Sequence, residues 1–234
     1  METRINNIVI GDDRPTFVIA EAGINHNGRL DIAKELVDKA VETGADAIKF
    51  QTFKYITKLT KYQLSYSDFV ELKFYCDKKN IIFLSTPHTF DAIHFLDEIV
   101  PMFKIASTYL TNANFLMEVA KKEKPILLST GNLMHNNGMA TYEEITNALS
   151  FIPNAEVILL HCISRYPCME SYPERIPELK KLGYLVGFSD HTKSIKVPKV
   201  PVIEKHFMLE DIDCIDKDVS LTPTEFKQMV ELLK

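Results

Sequence analysis

The chain repeats one pattern, in which a short run of consecutive apolar residues ends in polar residues and leads into a longer segment with helical spacing. After the first run, Ala33, Leu36 and Ala40 recur every three or four residues, which is the spacing of one helix face. The apolar runs occupy residues 17–21, 47–51, 81–87, 103–107, 125–131, 157–161, 184–189 and 202–204. The pattern predicts about eight strands with helices between them.

The predicted strands are continuous apolar runs, which is typical of parallel strands that are buried on both faces. Eight such strand and helix units close most naturally into a (β/α)8 TIM barrel. A doubly wound open sheet is the alternative, but Gly23 and Gly28 are too widely spaced to supply its GxGxxG fingerprint. The sequence therefore favours one α/β barrel domain over residues 16–234, preceded by a lead-in segment over residues 1–15.

Polar side chains stand at the end of every predicted strand. In a barrel of this type they are expected to converge on the C-terminal face, where active sites of the fold lie. The residues are Glu21, Lys49, Gln51, Ser85, Thr86, Lys104, Ser107, Ser129, Thr130, His161, Ser189, Asp190, His191, Glu204, Lys205 and His206. A polar ring of this size indicates a polar ligand.

Two lysines in this ring, Lys49 and Lys104, follow apolar runs. A buried ammonium group is costly unless it meets an anion. With serines at neighbouring strand ends, the two lysines predict a site for a phosphate or a carboxylate. The alternative is that each lysine pairs with a carboxylate of a neighbouring strand, such as Glu21 or Glu204.

Two histidines, His191 and His206, end the last two predicted strands, which are neighbours in a closed barrel. Two imidazoles near a carboxylate suit a divalent first-row metal with open positions for substrate. The alternative is that both are ordinary core histidines.

Composition narrows the function classes. The chain has 234 residues, 46% hydrophobic content and a net charge of −5, so it offers no basic face for nucleic acid. No apolar run approaches the roughly 18 residues that cross a bilayer, and residues 1–7 lack the pattern of a signal peptide. We therefore expect a cytoplasmic protein without nucleic-acid or membrane partners. Its four scattered cysteines, Cys76, Cys162, Cys168 and Cys214, are expected to be free thiols.

Six segments together strongly resemble the N-acetylneuraminate (sialic acid) synthase family, which includes spore-coat, surface-polysaccharide, legionaminic and pseudaminic acid synthase relatives. They occur in the order of the family and read FVIAEAGINHNG (17–28), AIKFQTF (47–53), FKIAS (103–107), LLSTG (127–131), GFSDHT (187–192) and IEKHF (203–207). The resemblance implies a barrel enzyme, a transferase, that condenses phosphoenolpyruvate with an N-acetylated amino sugar such as N-acetylmannosamine. The products would be a sialic-acid-like nonulosonic acid and phosphate.

The resemblance also implies residue roles. Lys49 and Lys104, with Thr86 and the serines Ser107, Ser129 and Ser189, would hold phosphoenolpyruvate. Catalytic roles fall to Glu21, Lys49 and Lys104, and further substrate contacts to Gln51, Tyr166 and Asp216. His191 and His206 would bind a divalent metal, Mn²⁺ in the first place, with Mg²⁺ or Co²⁺ as alternatives. A homodimer would be compatible with the family.

The sequence departs from the family at several points. The connection over residues 54–66 is short, and residues 132–137 look like an insertion. Residues 193–202, with two prolines, leave little room for the seventh helix, because proline breaks helices. His88 stands where many members have phenylalanine, and Tyr109 replaces an acidic residue. The C-terminal antifreeze-like domain that many relatives carry is not expected within residues 16–234.

Two alternative functions stay open at this point. One is a barrel that binds phosphoenolpyruvate or sugar without turnover. The other is a phosphoenolpyruvate-dependent aldol-type synthase that acts on a sugar phosphate. The second needs another basic site, and Arg165 and Arg175 are the only arginines in the later half of the chain.

Overall fold

The computed structural model describes residues 1–53 and 59–234. The strands in these residues are β1 (Glu2–Ile5), β2 (Ile8–Gly11), β3 (Phe17–Gly23), β4 (Ala47–Thr52), β5 (Ile82–Pro87), β6 (Phe103–Ile105), β7 (Ile126–Ser129), β8 (Val157–Cys162), β9 (Leu185–Asp190) and β10 (Val202–His206). The helices are α1 (Leu30–Glu42), α2 (Tyr66–Lys78), α3 (Phe90–Asp97), α4 (Ala113–Ala120), α5 (Tyr142–Ser150), α6 (Ile176–Lys180) and α7 (Pro223–Leu233). Of the short connection predicted over 54–66, residues 54–58 lie outside the described residues.

Eight parallel strands form one sheet in the order β5-β4-β3-β10-β9-β8-β7-β6. The two end strands of this order, β5 and β6, contact each other, so the sheet curls into a barrel. The register of β10 on β3 pairs His206 with Glu21, and β3 on β4 pairs Glu21 with Lys49. The predicted (β/α)8 barrel is confirmed, and its register brings three predicted site residues side by side.

The barrel interior and its outer layer have separate apolar cores. Successive side chains of a strand point to opposite faces, so alternate residues serve the two cores. The outer core joins the strands to the helices through residues such as Val18 and Ile48. The inner core includes Phe17, Ile19 and Ile158. It lies at the N-terminal ends of the strands and leaves the C-terminal ends to polar residues.

The predicted lead-in segment, residues 1–15, forms an antiparallel hairpin of β1 and β2. Ile5 and Ile10 of this hairpin are buried in the inner core beside Phe17 and Val202. The hairpin therefore covers the N-terminal end of the barrel.

Helix starts follow the local sequence. Ser65, Thr141 and Thr222 each cap a helix through a capping box with the acidic residue three positions later. This arrangement satisfies backbone N–H groups that the first turn leaves open. No helix in the described part of the chain is long and apolar enough to cross a membrane.

The connection between β9 and β10, residues 191–201, contains no helix. Pro198 and Pro201 lie in it, and proline removes a backbone donor that a helix needs. The prediction of a shortened or missing seventh helix is confirmed. The side chain of Lys205 bonds to the start of this connection: it donates to Asp190 Oδ2 and to the carbonyl oxygen of Thr192, each at 2.5 Å.

Candidate active site

A cavity of about 210 Å³ opens at the C-terminal ends of the barrel strands. Eleven of the twelve predicted site residues lie on its wall: Glu21, Lys49, Gln51, Thr86, Lys104, Ser107, Ser129, Tyr166, Ser189, His191 and His206. The twelfth, Asp216, lies beside the cavity, with Oδ2 at 3.5 Å from His206 Nδ1. The barrel thus brings the predicted residues together from strands that are far apart in the sequence.

Two lysines and two glutamates form the floor of this cavity. Lys49 Nζ lies 2.6 Å from Glu21 Oε2 and 3.5 Å from Glu204 Oε2. Lys104 Nζ lies 2.7 Å from Glu204 Oε1. These are the ion pairs that the alternative interpretation of the lysines expected. All four side chains are almost fully buried, which strengthens each charge interaction relative to water.

Neutral hydroxyl groups add hydrogen bonds to this cluster. Ser189 Oγ donates to Glu204 Oε1 at 2.7 Å. Lys49 Nζ donates to Thr86 Oγ1 at 3.0 Å. The ammonium groups are therefore held in place on the cavity wall before any ligand binds.

The surroundings shift the pKa values of the two carboxyl groups, Glu21 and Glu204, in opposite directions. Burial raises the pKa of Glu21, and the nearby charge of Glu204 adds to this rise against the opposing ammonium of Lys49. Burial also acts to raise the pKa of Glu204, but the ammonium groups of Lys104 and Lys49 outweigh it and lower that pKa. Protonation of Glu21 would leave two ammonium groups facing one carboxylate, an excess of positive charge that favours an anionic ligand.

The ammonium of Lys49 responds to the same groups. Burial acts to lower its pKa, but the charges of Glu204 and Glu21 reverse the effect, so the pKa of Lys49 is raised. Lys49 is therefore charged near neutral pH, as an anion-binding role requires.

Small groups line the side of the cavity next to β7 and β8. Ser107 Oγ accepts from the backbone N–H of Gly131 at 3.2 Å and lies 3.1 Å from Cys162 Sγ. A Cβ atom on Gly131 would come within 2.2 Å of Ser164 Oγ. Only glycine therefore fits at this point, where the backbone passes close to the cavity wall.

The two predicted metal ligands lie side by side, with ring centroids 5.3 Å apart. His191 Nδ1 lies 2.7 Å from the carbonyl oxygen of Ile163, which can only accept, so Nδ1 carries the proton. Its Nε2 then carries the lone pair of the ring, and this lone pair accepts from Tyr166 Oη at 2.9 Å. Burial, with a contribution from His206, lowers the pKa of His191 to about 3. This imidazole is neutral at physiological pH, the form that binds metals.

The donor set fits a divalent metal with an open coordination sphere. His206 Nδ1 is buried and has no hydrogen-bond partner within residues 1–53 and 59–234. Together with His191 Nε2 it offers two imidazole donors, with the carboxylate of Asp216 nearby. No group of three or more His, Cys, Asp or Glu side chains in the described residues has the spacing of a metal site. The chain thus offers two protein donors, and solvent or substrate would fill the remaining positions.

Two residues that shape the site, Glu204 and Asn25, were not predicted as site residues from the sequence. Glu204 was recognised as a strand-end residue but not as a site residue, although it pairs with both lysines. Asn25 donates to the carbonyl of Phe207 at 2.9 Å and accepts from the backbone N–H of Asp216 at 3.3 Å. It therefore holds the segment that carries Asp216. The contact between Asn25 and Asp216 joins residues 191 positions apart in the chain, so no local sequence pattern predicts it.

Five strand-end residues that were expected in the polar ring lie elsewhere. Lys205 Nζ and Asp190 Oδ2 pair with each other at 2.5 Å. His161 donates from Nε2 to the carbonyl of Ser171 at 2.9 Å. The hydroxyl groups of Ser85 and Thr130 bond to the neighbouring strands β4 and β8. None of the five lies on the cavity wall that the described residues form. The expectation was wrong because neighbouring residues of one strand point to opposite faces.

Comparisons with known proteins agree with this geometry. An uncharacterized protein of Methanocaldococcus jannaschii is 41% identical, over 99% of this chain and 74% of its own length. The N,N'-diacetyllegionaminic acid synthase of Campylobacter jejuni is 36% identical, over 92% of this chain and 75% of its own length. The crystal structure of the N-acetylneuraminic acid synthetase of Leptospira borgpetersenii, in complex with citrate, superimposes with a TM-score of 0.90 at 33% identity. That match covers 99% of this chain and 87% of the other.

The sequence profile of the NeuB family matches residues 54–234. The resemblance found from six short motifs thus extends over most of the chain. The chain belongs to the NeuB family.

Proposed function

We propose that this barrel condenses phosphoenolpyruvate with an N-acetylated amino sugar, giving a nonulosonic acid of the sialic acid type and inorganic phosphate. One observation carries the proposal: two buried lysines and two buried histidines face the same cavity. Membership of the NeuB family supports it, as do relatives named as legionaminic and sialic acid synthases.

Phosphoenolpyruvate is assigned to the side of the cavity that holds Lys49 and Lys104. The ligand carries a carboxylate and a phosphate, and each can accept charge-assisted hydrogen bonds from an ammonium group. Hydroxyl donors surround the same space, contributed by Thr86, Ser107, Ser129 and Ser189. Both lysines are already buried and paired with carboxylates. Ligand binding therefore brings an anion to ammonium groups that have already lost their contact with solvent.

The amino sugar is assigned to the side of the cavity nearer to the rim. Tyr166 is 54% exposed there, and its ring lies against that of His191 at an angle of 31°, with ring centroids 4.4 Å apart. Gln51 Nε2 donates to Glu21 Oε1 at 3.3 Å, so these two side chains form one polar edge. Hydroxyl groups of a sugar bind well to such mixed donors and acceptors.

The metal site is assigned to His191 and His206, with Mn²⁺ as the expected ion. When bound, such an ion supplies Lewis-acid polarisation of the sugar carbonyl. The side chains hold the reactants close together, and Glu21 carries the proton that the carbonyl oxygen gains, since its raised pKa suits proton transfer.

The proposed condensation forms one carbon–carbon bond and breaks one carbon–oxygen bond of phosphoenolpyruvate. The double bond between carbon 2 and carbon 3 of phosphoenolpyruvate opens as carbon 3 bonds to the aldehyde carbon of the sugar, and the aldehyde oxygen takes the proton of Glu21. Water adds at carbon 2; one of its protons returns to Glu21 and the other leaves with the phosphate. The bond between carbon 2 and the bridging oxygen then breaks, which releases phosphate and leaves a 2-keto acid. Lys49 and Lys104 stabilise the negative charge of the departing phosphate, because fixed charges in a buried site act more strongly than in water.

The test is phosphate release from phosphoenolpyruvate in the presence of Mn²⁺ and a panel of amino sugars. The panel contains N-acetylmannosamine, its 6-phosphate, and the di-N-acetylated precursors of legionaminic and pseudaminic acids. We expect release with at least one sugar and none without sugar. Calorimetric binding of phosphoenolpyruvate with no release for any sugar would overturn the synthase assignment and favour a binding barrel.

A further inference from the structure

His88 lies directly after strand β5 and forms part of the cavity wall. Its backbone is held on both sides: its N–H donates to the carbonyl of Thr52 at 2.9 Å, and its carbonyl accepts from Tyr109 Oη at 2.6 Å. Its ring lies between Phe53 and Tyr109, with centroid distances of 6.4 and 5.8 Å. The surrounding contacts therefore fix the position of the imidazole.

One ring nitrogen of His88 has no hydrogen-bond partner in the part of the chain that the structure describes. Nε2 is buried, and it makes no hydrogen bond to any residue within 1–53 and 59–234. Buried polar atoms in native proteins nearly always have a partner, so an exception indicates an unmade contact. A residue on the wall of a ligand cavity can make that contact to the ligand.

The charges near His88 indicate what kind of ligand this is. Burial lowers the pKa of His88 to about 4, and the ammonium groups of Lys49 and Lys104 contribute to the shift. The imidazole is therefore neutral, with one N–H donor, and it lies within the field of both lysines. An anion that reaches both ammonium groups also comes near this ring.

We propose that His88 is a further substrate-binding residue, whose Nε2–H donates to an oxygen of the phosphate group of bound phosphoenolpyruvate beside Lys49 and Lys104. The phosphate group is favoured over the carboxylate on geometric grounds. It has three terminal oxygens and can meet two ammonium groups and a third donor at once, whereas a carboxylate has two oxygens. The proposal depends on the proposed function only in taking phosphoenolpyruvate as the ligand.

The test uses two substitutions at this position. His88→Phe keeps an aromatic ring between Phe53 and Tyr109 but removes the donor, whereas His88→Gln keeps a donor. His94→Gln on helix α3, with an exposed side chain, is the matched control. Each protein is titrated calorimetrically with phosphoenolpyruvate, with inorganic phosphate and with pyruvate, which separates the phosphate contact from the carboxylate contact.

We expect His88→Phe to lower the affinity for phosphoenolpyruvate and for inorganic phosphate by about tenfold or more, which is the effect of one lost hydrogen bond to a charged group. Pyruvate binding should be unchanged, and His88→Gln should restore part of the phosphate affinity. Unchanged phosphate affinity in His88→Phe would overturn the proposal. A lower affinity for pyruvate with an unchanged affinity for phosphate would also overturn it, because the contact would then be to the carboxylate.

A measurement on the unmodified protein guards against variants that fold poorly. In nitrogen-15 spectra of histidine-labelled protein, inorganic phosphate should shift the His88 ring nitrogens and leave those of His94 unchanged. Absence of a shift at saturating phosphate would contradict the proposal. Failure of the synthase assignment is distinguishable, because it would show as absent turnover with intact phosphate binding. If the unmodified protein binds neither phosphoenolpyruvate nor phosphate, the role of His88 is refuted as well.

Discussion

Along strand β10 the inward-facing residues change from Val202 at one end to Glu204 and His206 at the other. Strand β3 changes in the same way, from Phe17 to Glu21. The two ends of the barrel interior are built from the same strands and the same alternation, yet one is an apolar core and the other a charged cavity. A closed barrel can therefore keep its stabilising and its chemical functions on separate levels.

The two ends also differ in how they meet solvent. The N-terminal end is covered by the β1–β2 hairpin, which buries Ile5 and Ile10 against the inner core. The C-terminal end opens into the cavity, where four buried charges depend on one another. Apolar burial contributes roughly 25 cal/mol per Å², whereas a buried ion pair is weak evidence for stability. We expect substitutions at the apolar end to lower stability without altering binding, and substitutions at the charged end to alter binding as well as stability.

The largest effect is expected at the charged end from His206→Ala. Removal of one of two imidazole donors should abolish measurable Mn²⁺ binding and lower activity by about 100-fold or more, since even indirect changes at metal sites cost about 10- to 100-fold. Calorimetry with Mn²⁺ and the phosphate-release assay check this. Substitution of the exposed His94 by alanine serves as the control. Full Mn²⁺ binding by the His191→Ala, His206→Ala double variant would show that the metal binds elsewhere.

The next effect tests the coupling of the four charges. Glu204→Gln removes the carboxylate that Lys49 and Lys104 share, and loss of one partner from a buried ion pair costs about 3–5 kcal/mol of unfolding free energy. Phosphoenolpyruvate binding should change in the same variant. Urea unfolding measures the stability loss, and the exposed Glu210→Gln should stay within about 0.5 kcal/mol of the parent. Equal stability of the two variants would contradict the coupled cluster.

A smaller but cleaner effect is expected at the apolar end. Ile158 is fully buried in the inner core, and Ile158→Ala should lower the unfolding free energy by about 2–5 kcal/mol. Ile158→Val should cost about 0.5–1.5 kcal/mol. For both variants the affinity for phosphoenolpyruvate, measured below the unfolding transition, should match the parent. A large affinity loss in Ile158→Val would break the separation of the two ends.

The sequence was sufficient to predict the barrel and the gathering of polar residues at one end of it. Continuous apolar runs that end in residues such as Lys49 or Ser129 specify parallel strands and where their polar ends lie. The same runs did not indicate which of two adjacent polar residues points inward. The ring was therefore expected to include Lys205, which instead pairs with Asp190 outside the barrel.

Other features depend on contacts that a linear pattern does not reveal. Glu204 is shared by two lysines only because the barrel closes and brings β4, β6 and β10 around one cavity. That Nε2 of His88 has no hydrogen-bond partner among the described residues is likewise visible only when the neighbours of that ring are known. Residues 1–15 were expected only as a lead-in segment, whereas they form a hairpin whose two strands have four residues each.

The central claim is that the charged end of the barrel binds phosphoenolpyruvate through its buried lysines. Calorimetric titration of phosphoenolpyruvate into the parent, Lys104→Met and the exposed Lys121→Met tests it most directly. We expect the parent and Lys121→Met to bind alike, and Lys104→Met to bind about 30-fold more weakly or worse, since truncating one side of a buried charge contact costs about 2–5 kcal/mol. Parent-like affinity in Lys104→Met would contradict the account.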